Sequence, residues 1–173
     1  MSTTISKQPH TDKKVRDFLE KVVVNVGVGR LSSQPNFEEK ILPQIAKDLS
    51  FMTGQKPETC VARKSIAGFK VREGQIVGVR ITLRRQKMVD FFERLIRIVL
   101  PRVRDFSGLA IKSVDDHGVL NIGLKEQFVF PEINQEQSQL AFPFGINIVP
   151  KSKNRDLAIG TYRELGVPLK KKD

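Results

Sequence analysis

The sequence predicts an α+β fold with a single open, mostly antiparallel sheet, helices packed on one face and a polar face left open. Two observations lead to this class. Four predicted strands place branched apolar residues on one face and asparagine, glycine, threonine or arginine on the other. Several of the segments between them repeat apolar residues at helical spacing. An antiparallel sheet with one solvated face produces this alternation, because only its other face packs against a core.

The strands are predicted over residues 21–29, 76–85, 119–125 and 144–149, with a shorter one over 57–63. Side chains two positions apart lie on the same face of a strand, so the apolar series places valines 22, 24, 26 and 28 in the core. The opposite face is expected to carry Asn25, Gly27, Gly78, Arg80, Thr82, Arg84, Asn121, Gly123, Gly145 and Asn147.

Helices are predicted over residues 14–20, 37–53, 87–100 and 155–165. Asn36 and Asn154 are the expected N-caps, since a short polar side chain can accept from the first free backbone N–H groups. Pro43 predicts a kink or a late start in the second helix. The last helix is expected to carry Leu157, Ala158, Tyr162 and Leu165, and to end at Gly166 and Pro168.

Length and composition predict one domain over residues 14–169, with a flexible tail over 1–13 and a basic tip over 170–173. A chain of 173 residues can bury roughly 70% of its unfolded surface without cross-links. One cysteine and two histidines leave no internal disulfide and too few ligands for zinc. We therefore expect no metal and no cofactor. Without an apolar signal core or a long apolar run, the chain is expected to be soluble, with the cytoplasm as its simplest location.

Residues 54–85 concentrate the positive charge. They contain eight basic residues and two acidic ones, and so carry +6 of the formal net charge of +11. Because these groups are strung along a strand and the loop before it, they suit a polyanion better than a small anion. The alternatives are a solvated basic strand or a membrane surface. No basic amphipathic helix with a bulky aromatic edge supports the membrane alternative.

The open face predicts recognition of folded or double-helical RNA by shape. It offers no aromatic side chain for stacking on single-stranded bases. Its glycines let a sugar-phosphate backbone approach, while asparagine and threonine can hydrogen-bond 2′-hydroxyls or phosphates. For each glycine taken alone, a bulge or a twist of the strand is the competing interpretation.

Two enzyme interpretations have little support. The sequence GVGRLS at residues 27–32 lacks the third glycine of a dinucleotide-binding turn, and the helix after it starts too late. The sequence DDHG at residues 115–118 has ordinary turn composition. No nucleophile, base and orienting group appear together, so no catalytic residue is predicted.

Five motifs resemble the bacterial-type large-subunit ribosomal protein five family, which binds 5S rRNA in the central protuberance. They are GQKP at 54–57, ARKSIAGFKVREG at 62–74, ITLRR at 81–85, LPRVRDF at 100–106 and GLKEQFVFPEI at 123–133. The resemblance runs over residues 15–150. It implies a structural ribosomal protein with 5S rRNA on its open face, in the ribosome of the cytoplasm. An RNA-binding module outside the ribosome is the alternative.

The resemblance places RNA contacts at Asn25, Gln55, Phe69 and Thr82, and strand alternation independently places Asn25 and Thr82 on the open face. Phe69 has two interpretations, stacking on a base or a loop anchor tucked against the core. The complete set expected to bind rRNA is Asn25, Gly27, Gln55, Lys56, Arg63, Lys64, Phe69, Arg80, Thr82, Arg84, Asn121 and Asn147.

The family also sends a loop towards the elbow of P-site tRNA, which implies tRNA contacts at Lys70, Arg72 and Gly74. Its bridge to a protein of the small-subunit head suggests a role for residues 130–142. This polar excursion is expected to be too polar for the core. The remaining implied partners are 23S-type rRNA and other large-subunit proteins, with no membrane. The family's DFRG and FDGRGNY motifs are altered here at residues 105–108 and 114–120, which leaves RNA contacts by these turns open.

Overall fold

The computed structural model describes residues 9–32, 34–136, 138 and 140–170, and it confirms the predicted α+β class. Its strands are β1 (Leu19–Gly27), β2 (Glu58–Val61), β3 (Ile76–Leu83), β4 (Leu120–Leu124) and β5 (Phe144–Pro150). They form one open sheet in the order β2-β3-β1-β5-β4, with every neighbouring pair antiparallel.

The register of the sheet fixes which side chains meet on each face. Central strand β1 pairs Asn25 with Arg80 of β3 and with Gly145 of β5. Strand β5 in turn pairs Asn147 with Asn121 of β4. The predicted division of faces is confirmed. Alternate apolar residues such as Val24, Ile81, Ile122 and Ile146 are buried, while Asn25, Arg80 and Asn121 are exposed.

The helices are α1 (Pro9–Phe18), α2 (Leu42–Thr53), α3 (Arg85–Arg94), α4 (Leu100–Arg102) and α5 (Arg155–Glu164). A π-helical turn over Phe37–Ile41 leads into α2, and another over Leu95–Val99 joins α3 to α4. Helix α1 begins earlier than expected, so residues 9–13 of the expected tail are helical. Residues 1–8 of that tail and 171–173 of the expected basic tip lie outside the described residues.

One of the two predicted N-caps is correct. The side chain of Asn154 accepts hydrogen bonds from the backbone N–H groups of Asp156, at 3.0 Å, and Leu157, at 3.2 Å. Asn36 makes no such bond and instead adopts a left-handed backbone with φ 63°, a conformation that asparagine tolerates. In α5, Ala158 and Tyr162 are four positions apart on the face towards the core and are fully buried, whereas Leu157 is 63% exposed.

The expectation that the polar excursion is too polar for the core is wrong in part. Its residues 134–136 are exposed, whereas Phe130, Ile133, Ser138 and Phe142 are buried, and a buried hydrogen-bond network holds it in place. Gln127, just before it, is fully buried. Its Nε2 donates to the carbonyl oxygen of Leu140 at 2.6 Å and to Ser138 Oγ at 3.2 Å, and its Oε1 accepts from the Phe142 N–H at 3.1 Å. Ser138 Oγ donates to Asp48 Oδ2 at 2.5 Å. The network fastens the excursion to helix α2.

Candidate nucleic-acid interface

Three asparagines on adjacent strands form a hydrogen-bonded row across the open face. Asn25 Nδ2 donates to Asn147 Oδ1 at 2.6 Å, and Asn147 Nδ2 donates to Asn121 Oδ1 at 2.5 Å. Asn121 Nδ2 donates to the Val119 carbonyl at 3.3 Å. This asparagine row (Asn25, Asn147 and Asn121) brings together three residues predicted to bind rRNA. Each amide orients the next, so the row presents neutral hydrogen-bonding groups in a fixed arrangement.

The glycines of the open face have two roles, since one makes room for Asn25 and two leave the surface open. A Cβ added to Gly145 would lie 2.9 Å from Asn25 Oδ1, so Gly145 gives Asn25 the space to lie over β5. A Cβ added to Gly27 or Gly123 would meet no atom within 4 Å. These two positions keep the surface low, as an approaching RNA backbone requires.

Gln55 and Thr82 also lie side by side. Gln55 Nε2 donates to the backbone carbonyl of Thr82 at 3.2 Å and so ties the loop after α2 to strand β3. The Thr82 side chain is half-buried on the open face, and Lys56 beside Gln55 is exposed. The structure therefore brings these predicted residues together next to the asparagine row, since Thr82 pairs with Val23 of β1.

The two arginines of β3 and its end are ion-paired, which the sequence analysis missed. Arg80 Nη2 lies 3.0 Å from Glu58 Oε2 across the β2–β3 pair, and Arg84 Nη1 lies 3.5 Å from Glu20 Oε1. The hydrogen bond to Glu58, together with its charge, raises the pKa of Arg80. Because both pairs are exposed to water, they hold their arginines weakly. A phosphate can replace either carboxylate.

Strands β2 and β3 are joined by the basic loop (residues 62–75). At its base, the Ala62 N–H donates to the Gln75 carbonyl at 2.8 Å and the Gly74 N–H donates to the Ala62 carbonyl at 2.9 Å. Gly74 has φ 80°, which glycine adopts without strain. The cationic side chains of the loop are all exposed; they are Arg63, Lys64, Lys70 and Arg72.

Phe69 lies in a 3₁₀ turn over Ala67–Phe69 near the tip of the basic loop, and its side chain is 80% exposed. This position excludes the alternative in which Phe69 is tucked against the core. The ring is free to stack, and Lys70 next to it has a left-handed backbone that turns the loop back towards β3.

Among the residues that the structure describes, no group of three or more His, Cys, Asp or Glu residues is arranged to hold a metal ion. None of the described helices is long and apolar enough to cross a bilayer.

A one-layer sheet whose open face carries neutral hydrogen-bonding groups, beside a basic loop, defines a nucleic-acid-binding scaffold protein. Comparison with known families narrows this class. Residues 18–72 match the family model described as Ribosomal protein L5, and residues 76–169 match the model that describes the C-terminus of the same ribosomal protein family.

Curated relatives agree with the family models. The large ribosomal subunit protein uL5 of Magnetococcus marinus is 44% identical over 155 residues, which cover 90% of this chain and 82% of the relative. The protein of the same name from Chlorobium luteolum is 41% identical, over 90% of this chain and 78% of the relative. That from Colwellia psychrerythraea is 42% identical, over 89% of this chain and 83% of the relative. The chain belongs to the ribosomal protein L5 family.

Family membership confirms the coarser predictions. The chain is a structural, RNA-binding constituent of the ribosome and not an enzyme, and its partners are rRNA and other ribosomal proteins. The ribosome is its location, as predicted.

Proposed function

We propose that the open face binds 5S rRNA in the central protuberance of the large subunit. The observation that carries this proposal is the asparagine row beside Thr82 and Gln55. Hydrogen-bonding groups fixed in place before binding lose little side-chain entropy when RNA arrives. Neutral amides can hydrogen-bond base edges, which differ between RNAs, and 2′-hydroxyls, whose positions depend on how the RNA is folded. The face therefore suits a selective contact.

The basic loop is proposed to contact P-site tRNA. Lys70 and Arg72 supply charge for the tRNA backbone, and Gly74 lets the loop turn. Phe69 is assigned to rRNA, where its exposed ring can stack on an unpaired base. Lys56, Arg63 and Lys64 stand nearer the sheet and are assigned to rRNA. The polar excursion, fixed in place by Gln127, is proposed to meet a protein of the small-subunit head.

The test compares binding of the full chain to 5S rRNA and to a structured RNA of the same size over a salt series. Asn25 and Arg80 are cross-strand partners, so their alanine variants probe one place with and without charge. Asn25→Ala and Thr82→Ala should weaken 5S rRNA binding with an unchanged salt slope. Arg80→Ala should flatten the slope by about 0.7 to 0.9 if the arginine meets one phosphate.

Equal affinity of the unmodified chain for the two RNAs would refute the 5S rRNA assignment. Equal salt slopes in all three variants would refute the division between neutral and charged contacts. The tRNA contact has its own readout, because ribosomes carrying Lys70→Gln or Arg72→Gln should bind P-site tRNA more weakly while 5S rRNA affinity stays the same.

A further inference from the structure

A cleft lies at the end of the sheet opposite the basic loop. It is lined by Arg16 near the end of α1, by Arg84 after β3, by Arg85 at the start of α3, by Lys151 after β5 and by Glu20. Its volume is about 490 Å³. We call this the strand-end cleft. Strand β3, which separates it from the basic loop, has eight residues and therefore spans roughly 25 Å.

The topology of the sheet brings these residues together. Strand β1 runs antiparallel to both β3 and β5, so its start lies beside their ends. Leu19 pairs with Pro150, and the Lys151 N–H donates to the Phe18 carbonyl at 2.9 Å. Because the basic residues come from three distant segments, no local sequence motif predicts the cleft.

Glu20 is the only acidic residue lining the cleft among the described residues. Its Oε1 lies 3.5 Å from Arg84 Nη1 and 3.4 Å from Lys21 Nζ, so one carboxylate oxygen is shared by two cations. Glu20 therefore cannot also neutralise the remaining basic groups of the cleft.

Those remaining groups have neutral partners or none. Arg16 Nη2 donates to the side-chain oxygen of Gln86, and Lys151 Nζ donates to the backbone carbonyl of Arg16 at 2.7 Å. The guanidinium of Arg85 is exposed and has no ion-pair partner among the residues that the structure describes. Three cations thus face one cleft without a counter-charge, and such a cleft attracts an anion.

The cleft is continuous with the open face. Arg84 has an extended backbone (φ −138°, ψ 165°), so it continues the alternation that places Arg80 and Thr82 on that face. An RNA strand lying on the asparagine row can therefore reach the cleft without leaving the surface.

We propose that the strand-end cleft binds a backbone phosphate of the RNA that lies on the open face. The RNA is then held electrostatically at both ends of the sheet, with the neutral row between them. One anchor is Arg63 and Lys64 at the start of the basic loop, and the other is Arg16, Arg85 and Lys151. This inference rests on the proposed RNA-binding function of the face and adds a second anchoring point to it.

The experiment measures affinity against salt for Arg85→Gln and Lys151→Gln. Each substitution should reduce the slope of log affinity against log salt by about 0.7 to 0.9 for a lost phosphate contact. Arg85→Lys should keep the slope, because it keeps the charge. The control is Arg102→Gln, an exposed arginine near the far end of the same helical run, about 25 Å away along the axis. It should leave the slope unchanged.

Circular dichroism checks that each variant is folded, and Arg85→Gln carries the test if Lys151→Gln loosens α1. Unchanged slopes in folded Arg85→Gln would overturn the proposal, and so would an equal loss in the Arg102 control. Inorganic phosphate separates the two sources of the anion. If it raises the Tm of the unmodified chain and not of Arg85→Gln, while their RNA slopes agree, the cleft binds free phosphate and the RNA assignment is wrong.

Using both 5S rRNA and the size-matched RNA separates this inference from the proposed function. Equal affinity for the two RNAs refutes selective 5S rRNA binding, yet the slopes still test the cleft, because a phosphate contact does not depend on sequence. A chain that binds neither RNA overturns both proposals.

Discussion

Gly145→Ala tests the asparagine row by adding one methyl group and no charge. The new Cβ would lie 2.9 Å from Oδ1 and 3.3 Å from Nδ2 of Asn25, closer than a methyl carbon tolerates. Because Asn25 is exposed, its side chain can rotate away. That rotation breaks the 2.6 Å hydrogen bond to Asn147 and disorganises one end of the row.

The effect on stability should be small and the effect on RNA binding larger. Losing the hydrogen bond costs about 0.5 to 1.5 kcal/mol. Replacing glycine by alanine in a strand without positive φ returns about 0.4 to 1 kcal/mol through the unfolded chain. The free energy of unfolding should therefore change by less than about 1 kcal/mol. If Asn25 makes one hydrogen bond to RNA, its displacement should weaken binding roughly two- to tenfold.

Gly123→Ala is the matched control. Gly123 is the cross-strand partner of Gly145 on the same face, and its added methyl meets no protein atom within 4 Å. Fluorescence anisotropy with labelled 5S rRNA measures affinity, and urea denaturation measures stability. We expect the Gly145 variant to lose more affinity than the Gly123 variant. Equal losses would mean that the methyl groups only obstruct the RNA, and full affinity in the Gly145 variant would show that the orientation of Asn25 is irrelevant.

Two further predictions concern buried and partly buried polar groups. Gln127→Leu removes the centre of the network that holds the polar excursion. It should lower the free energy of unfolding, measured in urea, by about 3 kcal/mol, which is more than Ser138→Ala should. A loss below about 1 kcal/mol would contradict a structural role for the network. Partial burial, and then the nearby carboxylate of Asp12, raise the pKa of Glu93, while Arg97 opposes this. The folded state therefore favours protonated Glu93, so its contribution to stability is full below its ordinary pKa and is lost as pH rises through the raised value. Glu93→Gln should remove this part of the pH dependence in urea titrations between pH 4 and 7, and an unchanged pH profile would count against the explanation.

The faces of the strands could be predicted from the sequence because a strand has a period of two and this sheet has one solvated face. A polar side chain at an alternate position then predicts the open face, and Asn25 and Thr82 do lie on it. Helix starts were less predictable. Asparagine caps α5 at Asn154, whereas at Asn36 its backbone is left-handed and its side chain caps nothing. A π-helical turn over Phe37–Ile41 separates Asn36 from α2.

The charged part of the interface could not be predicted in the same way. The partner of Arg80 depends on the register of β2 against β3, and the partner of Lys151 lies 135 residues earlier in the chain. The network around Gln127 was missed for a related reason. A polar segment predicts solvent exposure unless its hydrogen-bond partners are known. Here the partner of Ser138 is Asp48, which lies 90 residues earlier, in helix α2.

The arrangement of charge suggests how affinity and selectivity are divided. The asparagine row is neutral, and Arg80 beside it is ion-paired with Glu58. The start of the basic loop and the strand-end cleft carry positive charge at the two ends of the face. Charges at the ends attract any RNA and fix its direction, because phosphate contacts hold position without reading sequence. The amides between them then meet the RNA at a defined place, where a wrong shape leaves their hydrogen bonds unmade. Arginines in place of the three amides would bind RNA more tightly and discriminate less between RNAs, so the neutral row is best understood as the part that selects the partner.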